Sequence, residues 1–441
     1  MSELPKGWIA TEIGDISRIE TGSTPPKRNA ELYRREICFF KPGDLDAGGT
    51  IFESEDMVSK AGAEAGRLLP ADSLLITCIG NLGKSALISA PAICNQQINA
   101  ILPTPAAYPR YLYYWSRTIR PWLEENSSAT TVAIINKGRF SKAPINLAPL
   151  PEQRRIVSKI DSLTHKSKRA RDHLDHIPRL VEKYKQAVLS AAFRGDLTRG
   201  WRKTSRVSSE WITTTLDEVV VIASGQTPKG IENRLSADGK FPWFKVSSMN
   251  EPDNLHGLRT SQFRLSQQDA RDLGLRVIKA GSVAFPKRGG AIATNKKRKL
   301  LVDGALDLNL MVLTATGISP EFLWWWMQKL DLVSISNGSN VPQINNGDIA
   351  RLPINVPSQQ EQAQIAKLAE SAFTWVDHLA ANATSARKLI DHLDQAILAK
   401  AFRGELVPQD PSDEPASVLL EHIRSEHAVA PKPQRRRKHQ A

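Results

Sequence analysis

The chain has 441 residues, room for two or three domains that each bury a core of their own. Its 59 Lys and Arg against 46 Asp and Glu leave a formal charge of +13, which favours a polyanionic partner. Three cysteines, Cys38, Cys78 and Cys94, form neither an even disulfide set nor a metal-ligand spacing, and no apolar run approaches the ~20 residues that span a bilayer, so a cytoplasmic protein without membrane association is expected.

In chain order, "WIATEIGDISRI" near the start combines β-branched residues with partial alternation and ends in Thr21-Gly22-Ser23-Thr24-Pro25, which predicts strands closing on a loop. "GNLGKS" at 80–85 resembles the end of a phosphate-binding loop. Cys78 stands where the first glycine belongs, which removes the turn that cradles phosphates. Pro109 opens a predicted helix carrying "YLYYW"; such crowded aromatics either bury themselves or stack bases, and helical spacing favours burial.

A long helix follows. From Ile156, steps of four and three reach Ile160, Leu163, Leu174, Ile177, Val181 and Val188, an apolar seam of coiled-coil type. Pro178 should kink or split it, and Gly195, just past "AFR", should end it. The charged face at 165–176, with His165, His173 and His176, reads as a solvated helix surface ahead of a metal or nucleic-acid site.

The same order then repeats. Trp211 answers Trp8, Ser224-Gly225-Gln226-Thr227-Pro228 answers the first Gly-x-Thr-Pro loop, and "FLWWW" after Pro320 answers "YLYYW". "VPQINNGDIARLPINV" at 341–356 answers "VAIINKGRFSKAPINL" at 132–147. A second seam runs through Ile365, Val376, Leu379, Ile390, Leu393 and Ile397, and "AFRGEL" repeats "AFRGDL" 209 positions on. Such a period is a tandem duplication of a whole domain with its connector, since solenoids repeat every ~20–50 residues. The helices should pair with each other.

The ends of the repeats match closely, whereas their middles, such as "KRNAELYRREICFFKPGDLDAGG" and "KGIENRLSADGKFPWFKVSSMNE", do not. No GxGxxG, HExxH or GxSxG motif appears, nor the tetrapeptide of amino-directed DNA methyltransferases, so no catalytic residue and no metal site is assigned. The chain ends in "APKPQRRRKHQA", a basic tail predicted to be disordered.

With Gly-x-Thr-Pro in both halves, "PLPEQRRIVSKID" and "PSQQEQAQIAKLA" entering the helices, and Ala-Phe-Arg-Gly-[Asp/Glu]-Leu closing them, the chain resembles the specificity subunits of type I restriction-modification systems. The resemblance implies an α+β architecture: two tandem target-recognition domains, each followed by a long helix, the helices pairing as an antiparallel coiled coil with pseudo-two-fold symmetry. It divides the chain into recognition domain one (1–150), central helix (151–198), linker (199–210), recognition domain two (211–357), C-terminal helix (358–407) and basic tail (408–441). It implies a subunit without catalysis of its own that binds double-stranded DNA, two modification (methyltransferase) subunits and restriction (translocase/endonuclease) subunits. No cofactor is then expected on this chain; S-adenosylmethionine, ATP and Mg would belong to the partners.

A duplicated reader with unlike middles should read an asymmetric, bipartite site, its halves about one duplex turn, ~34 Å, apart. Arg and Lys suit guanine and Asn and Gln suit adenine, which makes loop residues Lys27, Arg28, Lys41, Asn81, Lys84, Gln96 and Gln97 candidate readers in the first domain. Lys229, Arg234, Lys245, Lys287, Arg288 and Asn295 are candidates in the second, and the run Lys296, Lys297, Arg298 and Lys299 is expected to meet phosphates. A stand-alone DNA-binding regulator with an internally duplicated, dimer-like fold is the alternative, and an enzyme with an unfamiliar site a third.

Overall fold

The computed structural model describes residues 4–128, 132–205, 210–338 and 341–429. The chain separates into two compact units, Met1–Leu174 with Ser385–Ala441, and Asp175–Thr384. Neither is a contiguous half: each combines one globular domain with the start of one long helix and the end of the other.

In the first unit, Ile9–Glu12 pairs antiparallel with Pro144–Leu147, Ile9 opposite Leu147. A five-stranded sheet takes the order Ile19–Thr21, Ile98–Ile101, Leu74–Thr77, Ser85–Ile88 and Thr50–Ile51. Its three central strands are buried along their whole length, so their sequences lack the alternation of a half-exposed strand. A three-stranded sheet sets Ile37–Phe40 between Asp56–Val58 and the parallel Ile93–Cys94. The second unit repeats the plan. Ile212–Thr215 pairs with Pro353–Val356, four strands take the order Val220–Ser224, Leu310–Ala315, Val283–Pro286 and Arg298–Lys299, and Phe241–Phe244 lies between Arg264–Leu265 and the parallel Ala305–Leu306.

Helices Pro109–Ser116 and Pro320–Lys329 start at their prolines and carry the aromatic clusters into the cores. Tyr111, Tyr113, Tyr114 and Trp115 are buried, as are Phe322, Trp325 and Trp326, which settles these clusters as packing.

The first long segment is two helices, Leu150–Asp175 and Ile177–Phe193, divided just before Pro178, whose ring excludes an unbroken helix. The second, Gln359–Ala401, runs 43 residues without a break. In the first unit Ile156 and Ile160 share a core with Ile397 and Phe402, Leu163 packs beside them, and Arg171 reaches Asp391 at 2.9 Å and also Asp394. In the second, Leu189 and Phe193 share a core with Ile365, Lys185 meets Asp377 at 2.7 Å, and the rings of Tyr184 and Trp375 lie 5.9 Å apart. In both, the partner number falls as the residue number rises, so the strands of helix run antiparallel. Val181, Val188 and Val376 are buried, while Leu174, Ile177 and Ile390 are half-buried. Leu379 and Leu393, expected in the seam, are instead 41% and 53% exposed. A row stepped at 3.5 residues drifts ~20° per heptad around a 3.6-residue helix, which turns such positions outward where the helix does not supercoil to follow.

One junction occurs twice. Trp8 Nε1 donates to Glu152 Oε2 at 3.1 Å, and Trp211 Nε1 to Glu361 Oε2 at 3.1 Å, both glutamates being buried at the start of a long helix. The neighbouring Gln153 and Gln362 are also buried: Gln153 accepts Tyr108 N–H and Gln362 accepts Ser319 N–H, each at 2.8 Å. The far helix ends close the junction, with the Phe402 ring centre 4.9 Å from that of Tyr111 and Phe193 5.3 Å from Phe322, both pairs tilted. Gly404 and Gly195 take φ of +74° and +79° at those ends. The repeated Ala-Phe-Arg-Gly is therefore the end of one helix docked onto the domain that starts the other.

The expectation of a disordered tail from 408 fails over part of its length. Ala416–Val429 is a helix, and Ala416, Leu420 and Ile423 enter the first unit's core. Their four-and-three spacing gives that helix an apolar face to bury. Arg155 also pairs with Asp413 at 2.6 Å. The basic residues at 435–438 lie outside the described residues. The segment 199–210, expected to be a linker, carries the helix Arg199–Ser205.

Candidate nucleic-acid interface

The two Gly-x-Thr-Pro loops are pinned where their domains' smaller strands end. A Cβ on Gly22 would lie 2.2 Å from Asn95 O, and one on Gly225 2.0 Å from Asp307 O. Only glycine allows that approach. The first loop thus sits against residues 95–97, with Thr24 Oγ1 donating to Gln96 Oε1 at 2.7 Å. Between them opens a cleft of about 630 Å³ lined by Thr24, Lys27, Tyr33, Lys41, Asp56 and Gln96 among others. It gathers three of the candidate readers, Lys27, Lys41 and Gln96. Lys41 is ion-paired to Asp56, whose hydrogen bond holds the ammonium pKa above its ordinary value. Arg28 is exposed one residue from Lys27, and Gln97 turns inward to accept Asn95 Nδ2 at 2.9 Å.

Asn81 and Lys84 belong to a second group. They stand on the turn between Leu74–Thr77 and Ser85–Ile88, beside Arg117 and Arg120, and Lys84 pairs with Asp46 at 2.6 Å. "GNLGKS" is therefore a strand-turn-strand hairpin without the following helix that phosphate cradling requires. Thr77 Oγ1 closes it, donating to Asn81 O at 2.6 Å and accepting Lys84 N–H at 3.0 Å.

In the second unit, Lys287 Nζ donates to Ser224 Oγ at 2.9 Å, at the head of the Gly-x-Thr-Pro loop. Burial, followed by the adjacent Arg288 charge, lowers the Lys287 pKa. Arg288 is exposed, and its Nη2 donates to Gln343 Oε1 at 3.2 Å. Lys229 is exposed, Arg234 pairs with Asp269 at 2.9 Å, and Lys245 lies 4.2 Å from the ring centre of Phe263 and 4.9 Å from that of Trp243. These positions do not form one cluster.

The run at 296–299 does not form a phosphate ridge. Lys297 is 4% exposed, donates to Asn295 Oδ1 at 2.7 Å and to Leu330 O, and burial pushes its pKa down to about 8. Arg298 donates to the carbonyls of Lys297 and Met249, with its pKa lowered by burial. Lys296 donates to Asn250, and Lys299 lies 5.8 Å from the Trp324 ring centre. Asn295, at φ +51°, also accepts Leu332 N–H at 2.9 Å, a local structural bond. Four consecutive basic residues thus face different ways, because the run enters a strand.

Tyr33, Arg117, Arg120 and Gln343 join these surfaces without having stood out in the sequence. The two arginines lie within "SRTIRPW", where a basic pair after a buried aromatic helix is a usable signal; nothing local marks Tyr33 or Gln343.

A family model, the type I restriction modification DNA specificity domain, matches residues 5–175 and again 208–373. The chain belongs to that family. Among relatives of this specificity chain, the type I restriction enzyme EcoKI specificity subunit of Escherichia coli (strain K12) is 23% identical, over 97% of each chain. The HsdS subunit from Thermoanaerobacter tengcongensis is similar in fold, with a TM-score of 0.65 at 20% identity over 92% of this chain and 99% of that one. A chain from a study of complex assembly and conformational transition of the type I R-M system reaches a TM-score of 0.70 at 20% identity over 92% and 100%. Two domains of one fold, each entering and leaving through the same junction, are the form this specificity chain takes. Among its described residues no helix is long and apolar enough to cross a membrane.

Proposed function

We propose that this chain reads DNA for a type I restriction-modification complex, each unit reading one half of a bipartite, asymmetric target. The observation that carries the reading is sameness of framework with difference of surface. Both units repeat the Trp-Glu junction, the glycine-pinned loop and the sheet plan, while side chains at equivalent positions differ: Gln96 in one stands where the other has Leu308, and Ile79 and Ile134 stand where it has Arg288 and Gln343. Two readers on one scaffold suit two unlike half-sites.

In this reading the chain has no catalytic residue. The methyl transfer and the ATP-driven steps, with S-adenosylmethionine, ATP and Mg, belong to two modification subunits and to restriction subunits that assemble with it in the cytoplasm. The paired helices set the spacing of the half-sites, and their exposed apolar residues, Leu180, Tyr184, Trp375, Leu379, Leu389 and Leu393, meet the modification subunits. Exposed apolar side chains grouped on helices mark interaction surfaces.

Mapping methylated bases in the genome of cells that carry the whole system tests this. A split, non-palindromic motif with an unspecified spacer is expected; a continuous or palindromic motif, or methyl transfer by the purified chain alone, overturns it.

A further inference from the structure

The two units share one short ribbon whose backbone is the same and whose side chains are not. In the first unit Ile79 faces Ile134 in an antiparallel bridge; in the second, Arg288 faces Gln343. The surrounding bonds correspond one to one. Ile135 N donates to Cys78 O and Ile344 N to Lys287 O, each at 2.9 Å; Gly80 N donates to Ala133 O at 2.9 Å and Gly289 N to Pro342 O at 2.8 Å. Gly80 and Gly289 share a left-handed φ, +78° and +75°. After each bridge comes a buried isoleucine, Ile135 or Ile344, and then an asparagine that caps a short helix, Asn136 or Asn345. The isoleucine and asparagine that follow keep their chemistry, while Cys78 gives way to Lys287 and the facing pair changes from apolar to polar and cationic.

The cationic version is held ready and is not neutralised. Gln343 accepts from Arg288 at 3.2 Å and donates its own Nε2 to Asn345 Oδ1 at 2.6 Å, so the guanidinium sits at the end of a chain of fixed amides. Among the described residues neither Arg288 nor Lys287 makes an ion pair, whereas Arg234 and Lys279 of the same unit do. The apolar version is exposed: Ile134 is 38% and the nearby Val132 47% accessible.

We propose that this bridge is a base-reading position in both units, with Arg288 reading a guanine in one half-site and the Ile79–Ile134 pair meeting a thymine methyl in the other. The inference rests on the DNA-reading function proposed above and assigns the readers within it. A planar guanidinium matches the O6 and N7 acceptors of guanine, and an apolar surface distinguishes bases in the major groove through the thymine methyl. Gln343 is a positioning residue that presents the Arg288 fork. Lysine would supply the charge without the fork.

The test uses the whole system in cells, with methylated sites mapped for the wild type, Arg288→Ala, Arg288→Lys, Gln343→Ala, and Ile79→Ala combined with Ile134→Ala. Arg288→Ala should relax one base position in one half-site by roughly 5- to 150-fold, the equivalent of ~1–3 kcal/mol of base discrimination. The other half-site and the spacing should stay unchanged. Gln343→Ala should relax that same position, and the isoleucine pair should relax a position in the opposite half. If Arg288→Ala does not accumulate, Arg288→Lys decides: a retained complex with a relaxed position supports the assignment. Unaltered motifs from assembled variant complexes, or relaxation in both halves from one variant, overturn it. A wild type without a bipartite motif sinks the parent reading; a bipartite wild type with unaltered variants sinks only this one.

Discussion

The carboxylate of Glu361, itself fully buried, accepts the indole N–H of Trp211 at 3.1 Å. Thr198 Oγ1 donates to the same carboxylate at 2.6 Å, and Arg202 forms an ion pair with it while donating to Gly195 O at 2.6 Å. One anion thus joins the start of the second long helix, the end of the first, and the domain between them. Breaking a buried ion pair by removing one partner costs ~3–5 kcal/mol, because the other charge is left uncompensated. Glu361→Gln should therefore destabilise the chain by about that amount in urea unfolding. A loss under ~1 kcal/mol would show the pair to be solvated.

The equivalent Glu152 has neutral donors, Trp8 at 3.1 Å and Gln409 Nε2 at 3.4 Å, while Arg155 is engaged by Asp413. Burial raises its pKa above the ordinary carboxylate value, and the two hydrogen bonds only partly offset this. A carboxyl raised in the folded state costs nothing below its unfolded pKa; the cost grows as pH rises from there through the folded value and persists above it. Glu152→Gln should be neutral or stabilising at pH 7, and the gain should vanish near pH 4, in a series of melts from pH 4 to 8. The same substitution should thus be costly at position 361 and not at 152, and equal losses at both would count against the charge argument.

Gly404 and Gly195 share a backbone conformation but have different neighbours. A Cβ at 404 would lie 2.3 Å from Pro5 Cγ, whereas one at 195 meets the guanidinium of Arg202 at 3.2 Å, a contact that a small shift relieves. The left-handed conformation alone costs an L-residue roughly 1–2 kcal/mol. Gly195→Ala should lose about that, and Gly404→Ala more, by the ~1–3 kcal/mol of overpacking against a rigid ring. Paired denaturation curves check the order.

Trp375 and Leu379 stand 57% and 41% exposed on the second unit. Changing both to serine should leave stability within about 1 kcal/mol, since surface substitutions seldom do more. If these side chains meet a modification subunit, co-purification with it should fall at least tenfold. Retained assembly would place the contact elsewhere.

If the helices set the spacing, inserting one heptad after Ile160 should change the tolerated spacer or prevent assembly while both half-site sequences stay the same. Altered half-sites would refute that division of labour, and methylation mapping reads either result.

The features legible in the sequence were those governed by local rules. Pro109 and Pro320 start their helices, Pro178 divides the long one, and Gly195 and Gly404 end theirs, because each acts through its own backbone. What misled was one-dimensional reading of surfaces. Lys296 to Lys299 look like a uniform ridge, yet strand geometry and the Leu330 carbonyl take Lys297 inside. Leu379 and Leu393 fit a heptad count but not the helix surface. Ala416, Leu420 and Ile423 carried a helical period that the basic residues after them obscured. Gln343 meets Arg288, 55 positions away, a relation that pairing of distant segments creates and no spacing reveals.

The division into units has a consequence for how the chain comes into being. The earlier made of the two domains shares its core with Ile397, Phe402 and Leu420, and Asn146 Nδ2 donates to Phe402 O across 256 positions. Its hydrophobic face therefore stays open until residues as late as Ile423 have been made, while residues 175–384 already contain everything their own core requires. The domain that is synthesised second can be the first to close, and the one synthesised first waits, the more exposed of the two to misassembly.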